Sequence, residues 1–198
     1  MEWPANPLWD YSVELYGRPG VEAACLELQR RHGLDVNLVL LCCWQAARGA
    51  ELDPAASSRA STAVASWQAE VVRPLRALRQ RLRARLVDPE PGSVVELWPE
   101  LAAAIRERAL ALEIDGEHLA QLGLCRAVSG LPARAAPGLA LASANLRRYW
   151  EFDHRDRHAL GTLLGNAFPE ARPDELEASL DCLEAEPRGT GAGAGGSL

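Results

Sequence analysis

Six arginines, Arg73, Arg76, Arg79, Arg81, Arg83 and Arg85, fall in one stretch that contains no acid. A guanidinium keeps its charge at any working pH and presents a planar fork of donors, so such a row suits phosphates or an acidic protein face. Binding of single-stranded nucleic acid also calls for aromatic rings to stack on the bases, and none lies among these arginines. The row therefore points to a protein partner ahead of nucleic acid, with Arg76, Arg79 and Arg83 on the working face. Trp9 and Tyr16, near the start of the chain, are candidates for an aromatic part of the same surface. The competing expectation is a solvated helix face, balanced internally by the acidic segment 170–186, where Arg172 is the only base.

A second constellation is Asp35 and Asn37 beside Arg18, with Arg73 and Arg76. Helix N-termini carry unpaired N–H groups and favour anions, so these residues are candidates for a small anion or carboxylate pocket. The simpler expectation is that Asp35 caps a helix and Asn37 lies in its first turn.

Other chemistry has less to stand on. Cys42 and Cys43 are adjacent, which on a helix points them about 100° apart and is not the Cys-x-x-Cys spacing of redox or zinc sites. With Cys25, Cys125 and Cys182 they make five, an odd number that suits free thiols in a reducing cytoplasm. Glu151 and His154 have the Glu-x-x-His spacing of half a di-iron site, but no second half follows, and Glu117-His118 are adjacent. No Gly-x-Ser-x-Gly, phosphate-loop or His-Glu-x-x-His pattern occurs. The expectation is no metal, no cofactor and no catalytic residue.

The elements that must position these residues read as helices. The chain has 198 residues, a net charge of −6 and 48% hydrophobic residues. That is enough to bury a core, and its charge is wrong for coating nucleic acid. No basic stretch followed by an apolar run opens the chain, so neither a signal peptide nor a membrane anchor is expected. Val36–Ala47, VNLVLLCCWQAA, is apolar on nearly every side yet far short of the ~20 residues that span a bilayer; it predicts a central helix wrapped by others. Asn6 and Pro7 start a helix over Leu8–Tyr16, and a second ends at Gly33. Glu51–Ser61 reads as a loop whose serines, with Thr62, offer N-caps. The row Val64, Trp67, Val71, Leu75, Leu78, Leu82 predicts the longest helix, kinked or divided at Pro74. Ser93 and Glu96 form a capping box ahead of Val94, Trp98, Leu101, Ile105 and Leu112, in a helix reaching Ile114, with Asp115-Gly116 a break or a weak point. Trp44, Trp67 and Trp98 are expected in the core. Three short helices follow near 139–150, 156–167 and 173–185. The Gly-rich 187–198 has too little apolar surface to fold. The fold class is all-α: a single bundle of about seven to nine helices around 36–48.

The run LWDYSVELYGRPGVEAACLELQRRHGLDVNLVLLCCW, followed by Trp67 and VVRPLRALRQRLR, resembles an uncharacterised proteobacterial family known as domain of unknown function 2390. YGRPGV, ACLELQ, GLDVN and VVRPLR occur in the family's order. The likeness is dense over about 8–86 and looser over 100–124. It implies a small helical cytosolic protein and brings no activity, cofactor or catalytic residue. The division it suggests is a helical core over 1–125, further helices over 126–186 packed on that core, and a tail over 187–198.

Overall fold

The computed structural model describes residues 3–184; the tail expected over 187–198 lies outside them. The described chain is all-α, with ten α-helical segments and, in place of strands, one isolated bridge between Ala50 and Ala133. The first three helices start and stop where their side chains dictate. α1 (Pro7–Tyr16) has Pro7 at its first position and Asn6 Oδ1 accepting from the Trp9 N–H at 3.2 Å. α2 (Val21–His32) ends on Gly33 at φ 62°, a conformation that costs glycine nothing. α3 (Val36–Ala47) is capped by Asp35, whose Oδ1 accepts from the Asn37 N–H at 2.9 Å.

α3 is the centre. Every residue from Asn37 to Ala46 is buried, with α1, α7 (Pro99–Ala127), α8 (Leu139–Leu146) and α9 (Arg157–Ala167) packed against it. α2 packs on α9, and α10 (Pro173–Glu184) closes over α8 and α9. Leu160, Leu163, Leu164 and Leu183 join the same apolar cluster as Leu41 and Cys42. Asn145, fully buried, stitches α8 to the end of α3: its amide donates to the Cys42 and Ala50 carbonyls, and its Oδ1 accepts from the Leu52 N–H at 2.8 Å.

Four expectations are corrected. Glu51–Ser61 is not a loop: α4 (Pro54–Trp67) begins inside it, because Pro54 sits at a first helical position and Asp53 Oδ1 accepts from the Ala56 N–H at 2.7 Å. Asp53→Ala is expected to cost about 1 kcal/mol of stability in urea unfolding, where an exposed serine of the same helix, Ser58, changed to alanine costs close to nothing. The helix expected to be the longest is shorter than the 29-residue α7, and it is divided, as expected, at Pro74. Pro74 is preceded by a wide π turn, Gln68–Val72, in which the Arg73 N–H reaches the Gln68 carbonyl; the widened turn absorbs the missing proline N–H and its ring, and α5 (Arg73–Val87) continues.

The third correction is the helix expected to reach Ile114. It is interrupted earlier, at Trp98, into a single turn α6 (Val94–Leu97) and the long α7, which then runs unbroken through Asp115-Gly116. Ser93 does accept from the Glu96 N–H, but the Glu96 carboxylate reaches back to the Gly92 N–H, one residue early for a capping box. Gly116 is a packing position: a Cβ there would stand 3.2 Å from Val72 Cγ2, and its carbonyl accepts from Trp67 Nε1 at 2.9 Å. Finally, Trp44 is buried and Trp67 half-buried, but Trp98 is exposed.

Candidate interaction surface

α5 and the first half of α7 pack antiparallel and stand apart from the apolar cluster. α5 has no fully buried residue, although its row Leu75, Leu78, Leu82, Leu86 is apolar. The residues of α7 buried along this stretch are small, Ala102, Ala109 and Gly116, with Glu113 among them.

Glu113 and Glu117, one turn apart on α7, bring the arginines inward. Arg76 Nε donates to Glu113 Oε1 at 2.9 Å and its terminal nitrogen donates to Glu117. Arg79 donates to both oxygens of Glu113, at 2.5 and 3.2 Å. On the other side Glu117 Oε2 accepts from Asn37 Nδ2 at 2.5 Å and Gln68 Nε2 at 2.9 Å, and Gln121 Nε2 donates to Asn37 Oδ1. The π turn that supplies Gln68 thus helps to hold the network, as such turns often do at polar sites.

The electrostatics follow from burial and pairing. Burial pushes the Glu113 carboxyl up, but the hydrogen bonds and charges of Arg79 and Arg76 outweigh it and leave it below its usual value. Arg79 is raised by its bond to Glu113. Asp35 has no guanidinium bonded to it, and burial with Glu117 nearby pushes it up to about 6, against the weaker pull of Asn37 N–H, Arg76 and Arg73. Burial also raises Tyr16 to about 12.

The pocket candidates are therefore divided. Asp35, Asn37 and Arg76 meet at the end of α3, with Arg73 exposed beside them; Arg18 is elsewhere, donating to the Asn166 carbonyl and to Glu14 at 2.7 Å. Of the surface candidates, Arg76 and Arg79 are occupied by carboxylates, while Arg83 is exposed. Trp9 stacks on His118 at 4.4 Å, with Trp3 on the same ring, and Tyr16 is half-buried on the core. The counter-charge comes from α7 and not from 170–186, whose Glu177, Asp181 and Glu184 converge on Arg157.

Glu113 and Glu117 were not among the candidates. Their signal was available: two acids four apart, matching Arg76 and Arg79 three apart on a helix that must run back along them. The thiols of Cys25, Cys42 and Cys43 are all buried, and burial raises each of them, Cys25 to about 12, so none is a ready nucleophile. Among the described residues no group of three or more His, Cys, Asp or Glu is placed to hold a metal ion, and no helix is long and apolar enough to cross a membrane.

α5 and the first half of α7, with α6, form an arm whose α6–α7 side exposes large apolar residues. Leu97, Trp98, Leu101, Ile105 and Leu112 are 59%, 54%, 63%, 53% and 56% exposed, with Val94 beside them. Large apolar side chains in a continuous row are uncommon on a monomer's surface and mark contact sites. An open hollow of about 640 Å³, lined by Arg59, Ala63, Gly123, Arg126, Ala127 and Ser129, lies at the far end of α7; a second, of about 450 Å³, lies between α4 and Arg147–Tyr149.

Compared with known proteins, the chain matches the model of a family described as "Protein of unknown function (DUF2390)" over residues 7–124. No curated protein and no solved structure matches it. The matched segment holds α1 to α6, the whole charged network and nearly all of α7.

Proposed function

For this chain, which belongs to the DUF2390 family, we propose a role as a helical protein-interaction module whose docking surface is the outward face of α6 and α7, flanked by the exposed arginines of α5. The observation that carries the reading is the row Leu97, Trp98, Leu101, Ile105, Leu112. Leu101, Ile105 and Leu112, at steps of four and seven, present one stripe along α7 with Leu97 and Trp98 at its tip, the form in which a helix receives another helix. Arg81 and Arg83, exposed on α5, place positive charge beside it. The five free cysteines suit a reducing compartment.

The Arg76–Glu113–Glu117 network is then a brace that holds α5 on α7 at the root of the arm. A small-molecule or anion site at the ends of α3 and α5 has less behind it, because Arg76 and Arg79 already hold carboxylates. Reversal of Arg76 and Arg79 would also break this brace, so the clean variants lie on the stripe.

The test is capture from lysate by the tagged protein, compared with Ile105→Glu. The variant should keep its far-UV circular dichroism and retain at least tenfold less of whatever the parent holds, since a buried unpaired carboxylate costs several kcal/mol at an interface. Capture unchanged in a folded Ile105→Glu protein would refute the assignment.

A further inference from the structure

We propose that the occupant of this face is a second copy of the chain, with α7 lying antiparallel to α7 about a two-fold axis that passes between Ala111 and Leu112. The inference rests on the preceding reading of the α7 stripe as a docking surface and names its partner.

At 100° per residue, Leu101, Ile105, Arg108, Leu112, Asp115, Leu119, Gly123 and Arg126 fall in one narrow sector of α7. It is adjacent to the sector of Ala102, Ala109, Glu113, Gly116 and Ala120, which is buried within the chain. The stripe is half to fully exposed along its length. The only charges in its middle are Arg108 and Asp115, of opposite sign and two turns apart; the charge of Asp115 is felt by His118 on the same helix, and neither side chain is held in an ion pair among the described residues.

That spacing makes the stripe complementary to itself. With the axis midway between the two charges, each Arg108 comes level with Asp115 of the other copy, and both sit on the same side of the helix, so the two pairs form symmetrically. The two Leu112 side chains meet at the axis. Ile105 comes level with His118 and Leu101 with Leu122, each one residue short of Leu119 and Gly123 on the same side of the helix. The exposed tip, Leu97 and Trp98, arrives at Arg126 of the other copy, where the hollow of about 640 Å³ lies open with Arg59 and Arg126 at its wall. An indole entering there meets guanidinium groups over its face, a favourable cation–π arrangement.

A foreign partner would have no reason to find charge and hollow both matched about one point on this helix. Twenty-nine residues of helix span about 43 Å. Pairing over that length, with a tip seated in a hollow at each end, is on the scale of the ~800 Å² per partner that a standard interface buries.

The experiment is sedimentation velocity of the full chain from about 1 to 50 µM, spanning the dissociation constants of ordinary interfaces of this size. The parent should be a dimer at the upper end. Arg108→Asp, which sets Asp against Asp115, and Asp115→Arg, which sets Arg against Arg108, should each weaken dimerisation at least tenfold. Both residues are accessible at the surface, and circular dichroism should show unchanged helix content. Mixing the two variants in equal amounts should restore a dimer, because each then supplies the charge that the other lacks. A parent that stays monomeric at 50 µM, single variants that dimerise as well as the parent, or a mixture that stays monomeric would each overturn the proposal. A monomeric parent whose capture is still lost in Ile105→Glu would leave the docking reading standing and remove only the second copy.

Discussion

Arg76→Ala is expected to be the most damaging single change at the root of the arm, lowering stability by about 3–5 kcal/mol. Among the described residues the Arg76 guanidinium is the only group that bonds both Glu113 and Glu117. Without it, Glu117 keeps the amides of Asn37 and Gln68 but loses its counter-charge, while Glu113, only 6% exposed, is left with Arg79 alone. Asp35 lies close enough to feel both Glu117 and Arg76, so three carboxylates would share a half-buried region with less positive charge. Removing one partner of a buried pair costs far more than the pair contributes, because the remaining charge cannot return to water. Arg83→Ala, a few residues along the same helix and exposed, should change stability by less than about 0.5 kcal/mol. Urea unfolding of the two variants at pH 7 and equal salt makes the comparison. Equal midpoints would mean that the network is ornamental and that α5 is held by its leucines.

That contrast marks where the sequence is readable. Helix boundaries set by one side chain were legible: Asn6, Asp35 and Gly33 act through their own backbone neighbours, and each does what its type predicts. The buried central helix was legible because no polar face exists on which it could meet water. α4 was missed because a stretch rich in serine and alanine looks like a loop, and the decisive signal, Asp53 before Pro54, occupies only two residues.

Long-range partners were not legible in the same way. The gathering of Asp35, Asn37, Arg73 and Arg76 at helix ends could be anticipated from charge alone. That Glu113 and Glu117 fill the space between them depends on the register of α7 against α5, and the small residues buried along α7, Ala102, Ala109 and Gly116, carry no signal of their own. Asn145 and Asp156 are the same case. Each is fully buried, and Asp156 holds Arg31 and His32 while capping its own turn, but only the folded chain brings those partners within reach.

Trp98 shows a different limit. Periodicity places Val94, Trp98, Leu101 and Ile105 on one face of a single helix; that helix breaks at Trp98, yet all four side chains stay exposed as an apolar surface. Whether it is covered by the same chain or by another cannot be read from spacing, since both kinds of burial demand the same pattern. The buried side of α7 is made of Ala102, Ala109, Gly116 and Ala120 with Glu113, Gln121 and Leu124, while Leu101, Ile105, Leu112, Ile114 and Leu119 are exposed among the described residues. It is this exposure on which the proposed docking surface rests.

Asp35→Asn is expected to stabilise the protein at neutral pH, against the usual rule that a capping residue should be left alone. Asparagine caps as well as aspartate, so the bond from the Asn37 N–H survives the exchange. What disappears is a carboxyl that the fold holds at about 6 against its usual 3.8, first through burial and then through Glu117. The sign follows from linkage. Well below pH 3.8 the group is protonated in both the folded and the unfolded chain and makes no difference, and at pH 4 most of the cost is still absent. As pH rises from 4 through 6 the unfolded chain ionises readily and the folded chain resists, so stability is lost, and above 6 the whole cost is present. The displacement corresponds to at most ~3 kcal/mol, and solvent at the edge of the site reduces this to about 1–2 kcal/mol. The check is thermal unfolding of parent and variant at pH 4 and pH 7.5. The variant should unfold at a higher temperature by several degrees at pH 7.5, and most of the difference should close at pH 4. A variant less stable than the parent at pH 7.5 would mean that the ionised Asp35 gains more from Arg73 and Arg76 than burial takes away, and that the end of α3 is a held charge rather than a strained one.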